Sequence, residues 1–261
     1  MDTLIIDLIN EFRNRLFLYF TIGSTLSIVI YLIFKEKNIK YKILTIPHRW
    51  RDMRREIMYS ISSLLIFTFL FFFLKWLIDN DYTMVYYDKE VYGIAYYCLS
   101  ILLVVIIHDI YFYWTHRLLH TRWLMRHVHS VHHRSSDPTI WAAFSFHPLE
   151  AVINFGVFYV LVFTIPLHIS VFFLFFFINT SNNLLGHCGF EIFPKKFTRH
   201  WVGKWFTTST HHHMHHKFGK GNYALYFTCL DYLFSTVHSK YHTQFDATIV
   251  KRNENTENSA E

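Results

Sequence analysis

VYGIAYYCLSILLVVIIHDIYFYWTHRLLH, residues 91–120, begins as a hydrocarbon-soluble stretch and ends in histidines. Its first part, Val91 to Ile107, is an uncharged apolar run with about the 17 to 25 residues that a helix needs to cross a bilayer. Its second part carries His116 and His120, four apart in an aromatic and leucine-rich helical pattern. Both imidazoles therefore share one helix face, about one turn apart. The stretch predicts a spanning helix that delivers ligand-type side chains to one membrane surface.

The rest of the chain reads in the same terms. Two more apolar runs, Leu16 to Phe34 and Ile57 to Ile78, have spanning length, and their charges lie mostly at the ends. A fourth, Ala151 to Ile178, is too long for one ordinary span and is broken at Pro166 and His168, which predicts a helical hairpin over 151–178. A composition 52% hydrophobic and 20% aromatic, with 28 Phe, argues against an ordinary soluble domain. The fold class is an all-α integral membrane protein with about three spanning helices, the hairpin and a cytosolic histidine-rich helical cap. Residues 1–104 hold the N-terminal helices and a basic loop, 105–245 the histidine-bearing domain, and 246–261 a polar tail without apolar periodicity, expected to be disordered.

Charge orients the chain. The loop at 35–56 carries eight Lys and Arg, whereas DNDYTMVYYDKE (79–90) is acidic, which places the first inside and the second outside. Both histidine-rich regions then face the cytoplasm, in a multi-pass protein of the inner membrane if bacterial or of the endoplasmic reticulum if eukaryotic. The first apolar run has no small-residue cleavage pattern after it and reads as a retained helix. Cys98, Cys188 and Cys229 lie too far apart for a C-x-x-C site or a disulfide framework. The net charge of +6 fits cytoplasmic loops near anionic lipid, and no nucleic-acid motif accompanies it.

Beyond His116 and His120, the segment HSVHH supplies His129, His132 and His133, and HHHMHH (211–216) repeats the H-x-x-H-H spacing with His212, His215 and His216. Three rings from little more than one turn converge on one side or bridge two neighbouring positions. These eight imidazoles, with His187 as a ninth, exceed what one ion of four to six ligands accepts, so two metals are expected. Ligands without thiolate or carboxylate suit Fe, Zn or Cu, and residue type alone does not choose among them.

HDIYFYWTHRLLH, HSVHHRSSDP, HPLE (147–150), NLLGHCGFE (183–191) and STHHHMHHKFGKGNYAL together resemble the fatty acid hydroxylase and sterol desaturase superfamily over roughly residues 105–240. The resemblance implies a di-iron centre on cytosolic extensions of membrane helices, with O2 as co-substrate and hydroxylation of a fatty acyl, sphingoid or sterol C–H bond. Desaturation at the same centre is the alternative. The family motifs fall on His116 and His120; on His129, His132 and His133; and on His212, His215 and His216, with His187 as a further ligand. Asn183 stands where some relatives have a histidine, as a weak ligand, a water holder, or neither.

Other polar residues surround this set. His108, two turns before His116, reads as an interface-packing residue or an extra ligand. For His147 and Glu150, in the HPLE segment, the resemblance implies supporting positions around the metal. His211 is a candidate for the same supporting layer and His213 for an alternative ligand. Asp109, Asp231 and Glu150 are candidates to accept the second ring N–H that metal-bound histidines donate. Asn222 and Tyr223 match a family position that shapes the site, or belong to a tight loop made by Gly219 and Gly221. No heme domain, Rossmann fingerprint or cysteine iron-sulfur pattern is present, so electrons are expected from a cytochrome b5-, ferredoxin- or flavoprotein-type partner. Rival classes are a divalent-metal transporter, which would place its ligands near the midplane, and a di-heme protein, which would pair axial histidines on separate spans.

Overall fold

A computed structural model describes residues 2–33, 43 and 50–257. Most of the basic loop at 35–56, His48 with it, and residues 258–261 lie outside the described residues. Three long helices come first: α1 (Asp2–Ile33), α2 (Trp50–Asp79) and α3 (Gly93–Leu119). The expected hairpin follows as α6 (Pro148–Thr164) and α7 (Ile169–Gly186). Between α3 and α6 lie α4 (Arg122–Leu124), a π-helical turn at Met125–His129 and α5 (Ser130–His133). The C-terminal part contributes α8 (Ser209–Phe218), α9 (Cys229–Leu233) and α10 (Tyr241–Glu257).

Among the described residues α2, α3 and α7 are long and apolar enough to cross a membrane. The third of these is the second arm of the hairpin rather than α1, whose first half carries Asp7, Glu11, Arg13 and Arg15. At 17 residues, α6 reaches about 25 Å, short of the roughly 30 Å hydrocarbon core. On α3, Leu102, Ile106, Ile110, Trp114 and Leu118 recur every fourth residue and remain 38 to 53% exposed. Such a continuous outward apolar stripe is a surface made for lipid. The inward faces meet in an aromatic core: Phe67 of α2, Phe155 and Phe158 of α6, and Phe172 and Phe175 of α7 are all buried. Tyr19 of α1 and Ser60 of α2 both donate to the Trp141 carbonyl, each at 2.9 Å, which ties the first two helices to the turn at Ile140–Phe144.

The hairpin breaks where the sequence indicated. Leu167–His168 (β2) pairs in parallel with Val85–Tyr86 (β1), and His168 begins α7 by accepting from Ser170 N at 3.1 Å while its Nε2 donates to Tyr87 O at 2.9 Å. Both arms outrun the expected bounds of 151–178. α3 likewise continues past Ile107 without interruption, so the span and the first histidine pair belong to one helix. The β pair marks one end of the bundle. The last turns of α3 and α7 and the first turns of α2 mark the other, where the histidines gather.

The tail is corrected by the structure. Rather than becoming disordered at 246, the chain continues through α10, and Tyr241, Phe245 and Ile249 are each at most 1% exposed. These three recur at every fourth position, the spacing of a buried helical stripe, and the polar residues between them obscure it in the sequence.

Candidate metal centre

Nine histidines converge in two adjoining groups. His116, His120, His129, His133 and His215 form the first; His132, His187, His212 and His216 form the second. Within each group the facing ligand-type atoms lie within 4.8 Å of one another. These are the nine residues that the spacing and the resemblance single out.

Local structure explains the partition. Neighbouring helical residues point about 100° apart, so His132 and His133 turn to different groups, as do His215 and His216. One motif contributes to the first, second and first groups in turn (His129, His132, His133). The other contributes to the second, first and second (His212, His215, His216). The π turn runs into the first of these motifs and includes His129, as π turns often occur at functional sites. α8 is held in register by its N-cap, where Thr208 Oγ1 accepts from His211 N at 3.1 Å. Buried Glu191 accepts from Thr210 N at 3.0 Å and from its hydroxyl at 2.6 Å.

Hydrogen bonds fix which nitrogen four of the rings present. His116 Nδ1 lies 2.9 Å from Tyr223 O, His215 Nδ1 2.7 Å from Gly221 O, and His129 Nδ1 2.8 Å from Glu150 Oε1. In the second group His187 Nδ1 is 2.7 Å from Asn183 O. Carbonyl and carboxylate oxygens only accept, so these Nδ1 atoms carry the proton and each Nε2 of a neutral ring is a bare lone pair. His215 Nε2 then faces His120 Nε2 at 3.0 Å and His133 Nε2 at 3.1 Å. His212 Nε2 faces His187 Nε2 at 3.0 Å and His216 Nε2 at 3.1 Å. The buried nitrogens His129 Nε2, His132 Nδ1 and His216 Nδ1 have no hydrogen-bond partner at all. Lone pairs converging in a buried space are repulsive among themselves and complementary to a cation, so the donor set fits two metal ions.

Burial holds these rings neutral. It lowers His120 and His187 to about 4 and, with His120 adding to the effect, His133 to about 3. His129, His132, His212, His215 and His216 fall well below the ordinary histidine value, first through burial and then through neighbouring imidazoles. An unfolded histidine takes up its proton near about 6.5, so between that pH and 4 the unfolded chain binds more protons than the folded one. Stability of the metal-stripped protein is therefore expected to be full above pH 6.5 and to fall as pH drops through that window. Thermal unfolding in detergent from pH 7.5 to 5 reads this directly, and an unchanged midpoint would refute it.

The other singled-out residues separate by what they touch. Glu150 lies against the second ring nitrogen of His129. Asp109 instead accepts from Tyr226 N at 2.8 Å and Phe227 N at 3.3 Å, and so holds a backbone segment rather than a ring. His108 Nδ1 is 3.0 Å from the Tyr226 hydroxyl and belongs to neither group. His147 caps α6, accepting from Leu149 N at 3.2 Å. His211 turns away, its Nε2 3.1 Å from Asp231 Oδ2, and His213 is buried outside both groups. Burial alone would raise the Asp231 carboxyl, but contact with His211 and bonds from Thr236 and Tyr223 N hold it below its usual value. The Asn183 side chain donates to Ala143 O at 2.7 Å, and it is the backbone carbonyl of this residue that serves His187.

Asn222 ties the loop after α8 together, donating to His211 O at 3.0 Å and accepting from His238 N at 2.8 Å. The carbonyls of Gly221 and Tyr223 in this loop aim one ring each from α8 and α3. Gly221 has φ +74°, and a Cβ there would stand 2.5 Å from Thr236 O. The acceptors are main-chain atoms, which no side-chain motif reveals.

The sequence profile of the fatty acid hydroxylase family matches residues 101–236. The chain is 30% identical over 152 residues to a Delta(7)-sterol 5(6)-desaturase of Gibberella zeae, covering 58% of this chain and 46% of that one. It is 27% identical over 245 residues to a Delta(7)-sterol 5(6)-desaturase of Aspergillus fumigatus, 85% of this chain and 72% of that one. Against human lathosterol oxidase it is 28% identical over 182 residues, 69% and 59% of the two chains. The matches thus span between about half and three quarters of these relatives. No solved structure matches. With half of its length under the family profile, and with the histidines of that region gathered into two groups, the chain belongs to the fatty acid hydroxylase and sterol desaturase superfamily.

Proposed function

We propose that the protein is a membrane-bound, O2-dependent lipid oxidoreductase whose nine clustered histidines hold two iron ions. The observation that carries this reading is the convergence of ligand-type nitrogens in two buried groups, with the rings of His116, His129, His187 and His215 fixed by hydrogen bonds at Nδ1. His116, His120, His129, His133 and His215 would hold one ion and His132, His187, His212 and His216 the other. Bound iron supplies activation of O2 and one-electron chemistry at an unactivated C–H bond, which side chains do not provide. The chain's own residues orient the ligands, keep them unprotonated and exclude water. Phe146, whose ring centroid is 5.1 Å from that of His132, begins an aromatic chamber beneath the second group.

The first reading of the reaction is hydroxylation of a fatty acyl, sphingoid or sterol carbon. The names of the two fungal relatives favour a second, desaturation of a sterol. Electrons would arrive from a separate cytochrome b5-, ferredoxin- or flavoprotein-type donor. Arg122, Arg126, Lys217 and Lys220 are exposed on the cap, and an acidic donor would complement them. Lipid mass spectrometry of cells grown under heavy-isotope O2, with the wild-type chain and with His132→Ala, tests the proposal. A labelled hydroxyl that the variant lacks establishes hydroxylation, and a new double bond without label establishes desaturation. Identical lipids in the two strains would overturn both.

A further inference from the structure

At the end of the bundle opposite the histidines, a cavity of about 580 Å3 opens between α1, α2 and α7. It shares Glu11, Asn14, Phe71, Phe172 and Phe173 with a second cavity of about 140 Å3. The second in turn shares Phe155, Phe158 and Phe176 with the small chamber beneath the histidines. The three share walls in series, with polar side chains around the first and phenylalanines between the others.

Arg15 stands where polar becomes apolar. Its side chain is 9% exposed, its guanidinium carbon lies 4.4 Å from the Phe71 ring centroid and 5.6 Å from that of Phe176, and Nη2 is 2.7 Å from Glu11 Oε1. Its Nε has no hydrogen-bond partner. A buried donor left unmade on an arginine is costly; Nε itself is covered, and a turn of the side chain, which lines the second cavity, brings it to an acceptor from a ligand.

We propose that Arg15, Glu11 and Asn14 form a head-group site for a neutral lipid alcohol, whose chain runs past Phe158 and Phe176 toward the histidines. This rests on the lipid-oxidising reading above and adds the substrate class and its direction. A hydroxyl both accepts from Arg15 Nε and donates to the Glu11 carboxylate. An ammonium has no lone pair for Arg15. A carboxylate has no proton for Glu11, and with Lys75 paired to Asp79 and Arg15 to Glu11, Asp7 leaves the mouth net negative. Eleven residues separate Phe176 from His187, which at about 1.5 Å per residue is on the order of 16 Å. The carbon presented to the histidines is accordingly remote from the hydroxyl.

Photolabelling of the full chain in nanodiscs, without turnover, tests this with octadecanol, octadecanoate and octadecylamine, each bearing a diazirine beside its head group. The alcohol is expected to label the first half of α1 or the start of α7 about tenfold more than the acid or amine, as one or two well-made hydrogen bonds allow. Arg15→Met should abolish that preference. Glu11→Gln, whose amide still accepts from Arg15, should fold and admit the acid. Equal labelling by the three probes, labelling elsewhere, or a Glu11→Gln protein that still rejects the acid would overturn the site. Lipid oxidation with no labelling at α1 and α7 removes the head-group site alone. Labelling at that site in a protein without oxidase activity removes the proposed function alone.

Discussion

His215→Ala is expected to bring bound iron down to about one per chain and to lower lipid oxidation at least about 100-fold, beyond what loss of a mere supporting residue costs. His215 Nε2 is the atom on which the first group centres, 3.0 Å from His120 Nε2 and 3.1 Å from His133 Nε2. Its ring is aimed by the Gly221 carbonyl, so nothing else in α8 replaces it. Alanine leaves a gap in a fully buried wall and removes a donor that no neighbouring side chain restores. His127→Ala is the control, because that ring is exposed and bonds only the Trp123 carbonyl at 2.9 Å. Metal analysis of the two purified variants gives the comparison. Wild-type iron in the His215 variant would remove this residue from the ligand set.

Glu150→Ala is expected to weaken metal binding by about 10- to 100-fold without touching a ligand. The carboxylate accepts from His129 Nδ1 at 2.8 Å, and both side chains are at most 2% exposed. Its removal strands the ring N–H in a dry interior, costing about 1–3 kcal/mol, and frees the ring to rotate away from the group. Glu150→Gln retains an oxygen acceptor and should lose much less. Chelator competition on the two proteins separates loss of orientation from loss of a buried group, and equal affinities in Ala, Gln and wild type would show that His129 needs no such partner.

The sequence made the histidine partners legible because metal ligation needs particular side chains at helical spacing, and both requirements are written in residue identity. Glu150 was legible for the same reason. The acceptors for His116, His215 and His187 were not, since Tyr223 O, Gly221 O and Asn183 O are main-chain atoms that any residue would supply. Asp109 illustrates the converse: a carboxylate seven residues before a ligand looked like its partner, yet the return of the chain at Tyr226 brought backbone donors closer. Helical arms were found but their ends were not, because α3 and α7 continue as amphipathic cap helices after their apolar runs finish. The burial of Arg15 and of the stripe through Tyr241, Phe245 and Ile249 is not legible in the sequence, being decided by partners far away along the chain.

The crossed sharing of the two H-x-x-H-H segments bears on how the protein would be loaded. A first cation captured at either position would fasten α5 to α8 and thereby set the spacing of rings that await the second. Ordering entropy spent once would serve both events, so the second ion would bind more tightly than the first. Chains carrying a single ion would then be scarce during assembly, and a half-filled centre able to consume O2 without a partner metal would seldom exist.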